Sequence, residues 1–268
     1  MTGQPTRPSD TLNEEYWRRY LSEPDSLVRF GRRVLTHLPS DPRCRFCTAP
    51  FAGPGAPLMR AIGKRPSEGN PNVCNSCQAH MVRHRGGAEV EGAMLFADIR
   101  GSTALAERMS AGEFHDLLDR FYGVASKSVF EHDGVVDKFV GDELVAHFFT
   151  ALAGDRYARR AVEAATALLR ATGHDDGGQP WAPVGAGVHS GRAWFGAIGE
   201  GTHVELTAVG DAVNVAARLA AAARAGEILV SAEAAAAAEL DDALEHRSLE
   251  LKGKSESVEV VVVRVGSR

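Results

Sequence analysis

From residue 90 onward the apolar positions fall into alternating strand-like and helix-like periods. Val90–Asp98, with its run Met94-Leu95-Phe96-Ala97, has the continuous hydrophobicity of a buried strand. Ser110 and Glu113 form a Ser-x-x-Glu capping box, and behind it Phe114, Leu117, Leu118, Phe121 and Ala125 recur on one helical face. Asp133-Gly134 marks a turn. Val135–Val140 and Leu144–Phe149 flank Gly141-Asp142, the pattern of a β-hairpin. A second amphipathic helix over 155–171 turns Ala158, Ala161, Val162, Ala165, Leu168 and Leu169 inward. Strands at 183–189 and 192–198, a helix near 211–223, and strands at 227–230, 246–251 and 257–264 complete the pattern. The alanine tract 231–238 suits a surface helix, because alanine is the best helix former. The order β-α-β-β-α-β followed by further elements predicts an α+β, ferredoxin-like domain with helices on one face of its sheet.

The first third is patterned differently. Residues 1–25 are polar, with Trp17, Tyr20 and Leu21 hinting at a short docking helix. Residues 26–38 predict a second helix, capped by Ser26, with Leu27, Phe30, Val34 and Leu38 near helical spacing. Residues 39–80 are rich in Pro and Gly and hold all four cysteines, and 83–89 reads as a linker. The division is therefore an N-terminal helical segment 1–38, a cysteine module with linker 39–85, and the α+β domain 86–268. At 44% hydrophobic and 24% charged, the composition is that of an ordinary globular protein. A net charge of −5 provides no basic field for nucleic acid. No apolar run approaches the roughly 20 residues of a membrane span, and the N-terminus lacks a signal-peptide core, so a cytoplasmic location is expected.

Cys44, Cys47, Cys74 and Cys77 form two CxxC pairs with 26 residues between them. In a chain without an export signal this pattern reads as a metal site before it reads as disulfides. Four thiolates in tetrahedral array suit a structural Zn²⁺. An iron–sulfur cluster uses the same ligands, and free or redox-active thiols are a further reading; His80 and His84 are close enough in sequence to replace a cysteine.

Asp98 closes the strand of Phe96-Ala97-Asp98-Ile99-Arg100-Gly101, and Asp142 sits in the turn Val140-Gly141-Asp142-Glu143. Singly, each is ordinary strand-end or turn chemistry. In a ferredoxin-like sheet, however, the first strand lies beside the first hairpin, so both carboxylates project from one rim. Paired hard oxygen ligands suit Mg²⁺ or Mn²⁺, and Gly101 and Gly141 leave room for a triphosphate to approach the backbone.

The segments LFADIRGST (95–103), VDKFVGDEL (136–144), GVHSGRAWFGAIG (187–199) and TAVGDAVNVAARL (207–219) resemble the class III adenylate/guanylate cyclase domain, over about residues 88–266. The resemblance implies that Asp98 and Asp142 bind two divalent metals, assisted by the Ile99 carbonyl. It implies that Lys138 and Thr207 read the purine, Asn214 orients the ribose, and Arg218 stabilises charge on the α-phosphate. It also implies that Arg192 binds phosphate and that Lys252, with Lys254 able to share the task, holds the terminal phosphates. The chemistry is coherent: the ribose 3′-hydroxyl attacks the α-phosphate, pyrophosphate leaves, and positioning with positive charge does the rest. Asn214 and Arg218, four residues apart on a helix, point the same way. Lys138 is a donor, matched to the N1 acceptor of adenine and mismatched to the protonated N1 of guanine, so ATP is the expected substrate. The family divides these residues between two subunits, which implies a homodimer with two shared sites and an inactive monomer. A silent ATP-binding module, a guanylate cyclase, a diguanylate cyclase and a zinc-dependent interaction protein are the alternatives, and the sequence does not identify a regulatory partner.

Overall fold

The computed structural model describes residues 8–37, 41–175, 179–200, 203–250 and 257–265. Helices α1 (Pro8–Ser22), α2 (Ser26–Thr36), α3 (Ala56–Ala61) and α4 (Asn75–Arg83) precede strand β1 (Gly86–Ile99). Then come α5 (Ser102–Arg108), α6 (Ala111–Glu131), β2 (Val135–Val140), β3 (Glu143–Phe148), α7 (Thr150–Ala153) and α8 (Tyr157–Ala171). The chain continues through β4 (Val184–Glu200), β5 (His203–Val209), α9 (Asp211–Ala222), β6 (Glu227–Ser231), α10 (Ala232–Ala237), β7 (Glu245–Leu249) and β8 (Val258–Arg264). Eight strands form one sheet in the order β2-β3-β1-β4-β6-β8-β7, with β5 paired to β4 off this path. Two compact units result. One takes the described residues up to Glu91 together with Thr150–Leu152 and Arg192–Gly210; the other takes Gly92–Phe149, Ala153–Gly191 and the described residues from Asp211 on.

In the second unit the main core joins Phe121, Ala125 and Val129 of α6 and Ala161, Ala165, Leu168 and Leu169 of α8 to Leu95, Ala146, Val188, Ile228 and Val230 of the sheet. The capping box at Ser110 and Glu113 is formed. A smaller core holds Val215 and Leu219 of α9 with Leu229, Val260 and Val262, which alternate along β6 and β8 with Ile228, Val230 and Val261 of the main core. Alternate residues of a strand face opposite sides, so α9 covers the other face of the sheet. The expectation of helices on one face only is corrected accordingly. A Cβ on Gly187 would stand 2.2 Å from the Ala220 nitrogen, so glycine is what lets α9 lie this close to β4.

Several other expectations change. The two strands expected at 183–189 and 192–198 are one, β4, because Gly191 is built into the strand and makes no turn; β5 follows it and was not expected. The alanine tract forms a helix, α10, that exposes Ala232, Ala236 and Ala237 and buries Ala234 and Ala238 on its inner side, where the small side chain allows a close approach. Strand β1 already begins at Gly86, and Ala88 and Val90 are buried, so much of the expected 83–89 linker is strand. Helix α2 is capped by Asp25, whose carboxylate accepts from the Leu27 and Val28 amides, and not by Ser26. Of its helically spaced apolar residues, Leu27 is 83% exposed and Phe30 69%, while Arg32 is 3% exposed. Leu38 lies outside the described residues.

Candidate functional site

The acidic rim is set by strand register. In the antiparallel β1–β3 pair, Asp98 lies opposite Glu143, so the turn residue Asp142 is one position away. Gly141 takes φ +60° and Gly101 takes φ +71°, a backbone that disfavours other residues. The Tyr122 hydroxyl of α6 donates to the Gly141 carbonyl, and its ring stacks on Phe139 with centroids 4.0 Å apart. The turn is thereby pinned from the helix side. Burial, then the neighbouring Asp142 charge, raises the Glu143 carboxyl above its usual range. Carboxylate oxygens are the ligands a hard divalent cation takes. Ile99 buries its side chain, which leaves only its backbone for any ligand role.

Arg100 was not singled out from the sequence. Its guanidinium contacts the Asp98 carboxylate and also donates to the carbonyls of Ala221, at 2.9 Å, and Ala223. Burial lowers its pKa, while the Asp142 and Glu143 charges act the other way. One cation thus ties the acidic rim to the carbonyl end of α9, where helix carbonyls lack intrahelical partners.

Lys138 follows a β-bulge. Val136 pairs with Ala146 and Lys138 with Val145, so Asp137 is the extra residue. A bulge redirects the side chains after it. Asp137, 4% exposed in its side chain, places one carboxylate oxygen 3.0 Å from His147 Nε2 and the other 3.6 Å from Lys138 Nζ. His147 is equally buried, at 2%. The lysine is therefore oriented from below by a buried acid, a feature that the sequence pattern concealed.

Asn214 is exposed and Arg218 half-buried on α9, one turn apart and on the face away from buried Ala212, Val215, Ala216 and Leu219. Thr207 lies on β5 opposite Gly196 of β4. Arg192, on β4, places Nη2 3.7 Å from Glu89, with both side chains largely exposed. Lys252 and Lys254 lie outside the described residues. The fold thus brings Asp98 to the Asp142 turn and aligns Asn214 with Arg218; Thr207 and Arg192 belong to the other unit.

The four cysteines converge. All their sulfurs lie within 4.8 Å of one another, with Cys44 and Cys74 buried. Cys74 caps α4 and its sulfur accepts from the Cys77 amide at 3.4 Å, while the Cys44 sulfur accepts from the Cys74 amide at 3.3 Å. Lys64 Nζ stands 3.6 Å from Cys47 Sγ. Hydrogen bonds within the cluster, that to Cys44 first, hold the Cys47 and Cys74 thiols below the usual range. The cluster contains no histidine. His80 instead meets the Tyr16 hydroxyl at 2.9 Å, and His84 stacks on the Tyr16 ring at 4.0 Å, so both are engaged by α1.

A sequence profile of the adenylate and guanylate cyclase catalytic domain matches residues 88–264. The chain belongs to this family. Among relatives, it is 33% identical over 137 residues to an adenylate cyclase of Anabaena cylindrica, covering 47% of this chain and 26% of that protein. It is 30% identical over 177 residues to adenylate cyclase 1 of Rhizobium meliloti, covering 63% and 27%. The chain therefore spans about a quarter of the length of these curated relatives. Among solved structures, the adenylyl cyclase CyaB from P. aeruginosa superposes with a TM-score of 0.58 at 30% identity, covering 68% of this chain and 97% of that one. The guanylyl cyclase Cya2 also superposes with 0.58, at 28% identity, covering 68% and 95%. Among the described residues, no helix of this cyclase domain protein is long and apolar enough to cross a membrane.

Proposed function

We propose that this cyclase-family protein converts ATP to 3′,5′-cyclic AMP and pyrophosphate at two sites shared across a homodimer, in the cytoplasm. The observation that supports the reading most is the Asp98–Glu143 register, by which the turn residue Asp142 is one position from the partner of Asp98. These two, with the Ile99 carbonyl, are the residues to hold two Mg²⁺ or Mn²⁺ ions. Bound there, such ions supply charge neutralisation at the phosphates and a lowered pKa for the attacking hydroxyl.

The chain's own residues divide the remaining work. Lys138, oriented by Asp137, donates to adenine N1, and Thr207 accepts from the 6-amino group. Asn214 holds the ribose so that the 3′-oxygen lies in line with the α-phosphate. Arg218, on the same helix face, meets the charge that grows on the α-phosphate, a role whose loss costs about 10²–10³ in rate. Arg192 and Lys252 bind the outgoing phosphates. The cysteine cluster holds a structural Zn²⁺.

The test is to incubate the purified protein with ATP or GTP and with Mg²⁺ or Mn²⁺, beside Asp142→Ala, and to separate products by liquid chromatography. Cyclic AMP from the unaltered protein alone is the expected result. Cyclic GMP as the main product would reassign the substrate, and bound ATP without a cyclic product would make the domain a silent binding module.

A further inference from the structure

The cysteine module and the β4–β5 hairpin share one compact unit, and α4 joins them. Helix α4 starts on Cys74, carries Cys77 in its first turn, and lies against β5. One residue beyond Cys77, the buried Gln78 side chain donates from Nε2 to the Val204 carbonyl of β5 at 3.4 Å. Val204 is itself buried, and so is Met81, one turn along α4. Three residues after Val204 on the same strand is Thr207.

The sulfur positions suit one ion. With metal–sulfur bonds of about 2.3 Å, a tetrahedron has sulfur–sulfur edges of roughly 3.8 Å. Cys47 and Cys74 stand 3.7 Å apart, and no pair exceeds 4.8 Å. A disulfide needs about 2.05 Å, and a cluster of several irons would push the thiolates further apart. The charge environment agrees: two backbone amides donate to the sulfurs, and the Lys64 ammonium lies beside Cys47, partly offsetting the negative charge that four thiolates leave around a divalent ion.

We infer that the four cysteines bind a single Zn²⁺ whose task is to fix α4, and through Gln78 the β5 strand bearing Thr207, so that metal loading governs how well the purine is held. Without the metal, the two CxxC turns keep the Arg45–Asn72 backbone hydrogen bond and α4 keeps the bonds of Asn75 to Gly63 and Arg65, but the tie of Cys74 and Cys77 to the first pair is reduced to thiol hydrogen bonds. The strand docked on it then opens more often. The consequence for cyclisation rests on the ATP reading above; the consequence for β5 does not.

The test uses the full chain in three states: as purified, stripped with a thiophilic chelator and dialysed into Mn²⁺, and re-supplied with Zn²⁺. Metal content, amide hydrogen exchange and cyclic AMP formation are measured on each. One zinc per chain is expected as purified. Stripping is expected to speed exchange across 204–209 about tenfold while leaving 135–148 unchanged, and to raise KM for ATP about tenfold, both reversed by zinc. Gln78→Glu keeps the cysteines but replaces the donor to Val204 with a carboxylate. It is expected to retain zinc, with β5 loosened as in the stripped protein, which separates loss of the link from collapse of the module. Iron in place of zinc, or reduced protein without metal, would overturn the metal assignment. Unchanged exchange at 204–209 in both the stripped protein and Gln78→Glu would overturn the coupling. A zinc-loaded protein that forms no cyclic nucleotide, with β5 still responsive to zinc, would instead refute the proposed activity and leave the coupling standing.

Discussion

Asp137 is a buried acid beside Lys138, the residue proposed to read the purine. Its carboxylate is shared between buried His147 and the Lys138 ammonium, and it is the extra residue of a bulge. Asp137→Asn keeps the shape but removes the charge that orients the lysine. A partly exposed pair of this kind is worth up to about 1 kcal/mol, or roughly fivefold in affinity. The expected outcome is a rise of about fivefold in KM for ATP with kcat little changed, read by steady-state kinetics; a fall in kcat at constant KM would contradict it. At this scale, the sequence singled out the residues whose type and spacing are themselves the signal, and Asp98, Asp142, Asn214 and Arg218 are proposed on that ground. It did not disclose Arg100 or Asp137. A charge next to a strand end or within a strand reads as solvated, and only the three-dimensional register shows Arg100 bridging Asp98 to the end of α9.

Among the elements, the edge formed by β6, β8 and β7 is tied by the carboxylates of Glu227 and Glu245, which share Arg247 and Arg264. Glu227 of β6 accepts from Arg247 of β7 at 2.7 and 3.1 Å and from Arg264 of the intervening β8 at 3.1 Å. The Arg247 hydrogen bonds, foremost, hold its pKa down to about 2. The unfolded value is about 4.3. A folded pKa below the unfolded one gives stability that is present above about pH 4.3 and is lost as pH falls toward about 2. Glu227→Gln is therefore expected to lower Tm by roughly 5 °C at pH 7, with the difference vanishing near pH 2. A difference that persists into acid, followed by circular dichroism, would contradict this. Element prediction worked where one strong period was present, as in α6 and α8. It failed within β4, which was expected as two strands, at β5, which was not expected, and at the start of α2, whose cap is Asp25. Periodicity locates a stripe but does not say on which side the rest of the protein lies.

For the whole molecule, the account requires two chains. The rim carboxylates and the α9 pair are expected to serve different sites of one dimer, with the acids from one subunit and Asn214, Arg218, Lys138 and Thr207 from the other. The cyclase family was legible because its segments occur in sequence at compatible spacing; the docking of α4 on β5 was not, since nothing in two CxxC pairs names the strand they support. The most direct measurement prepares Asp98→Ala and Arg218→Ala separately, assays each with ATP and Mn²⁺, and then assays the mixture. Each variant alone is expected to be inactive, and the mixture is expected to regain cyclic AMP formation at roughly a quarter of the rate of the unaltered protein, as random pairing of two half-sites allows. A mixture as inactive as its components, with the unaltered protein active and mixed dimers demonstrated, would contradict shared sites.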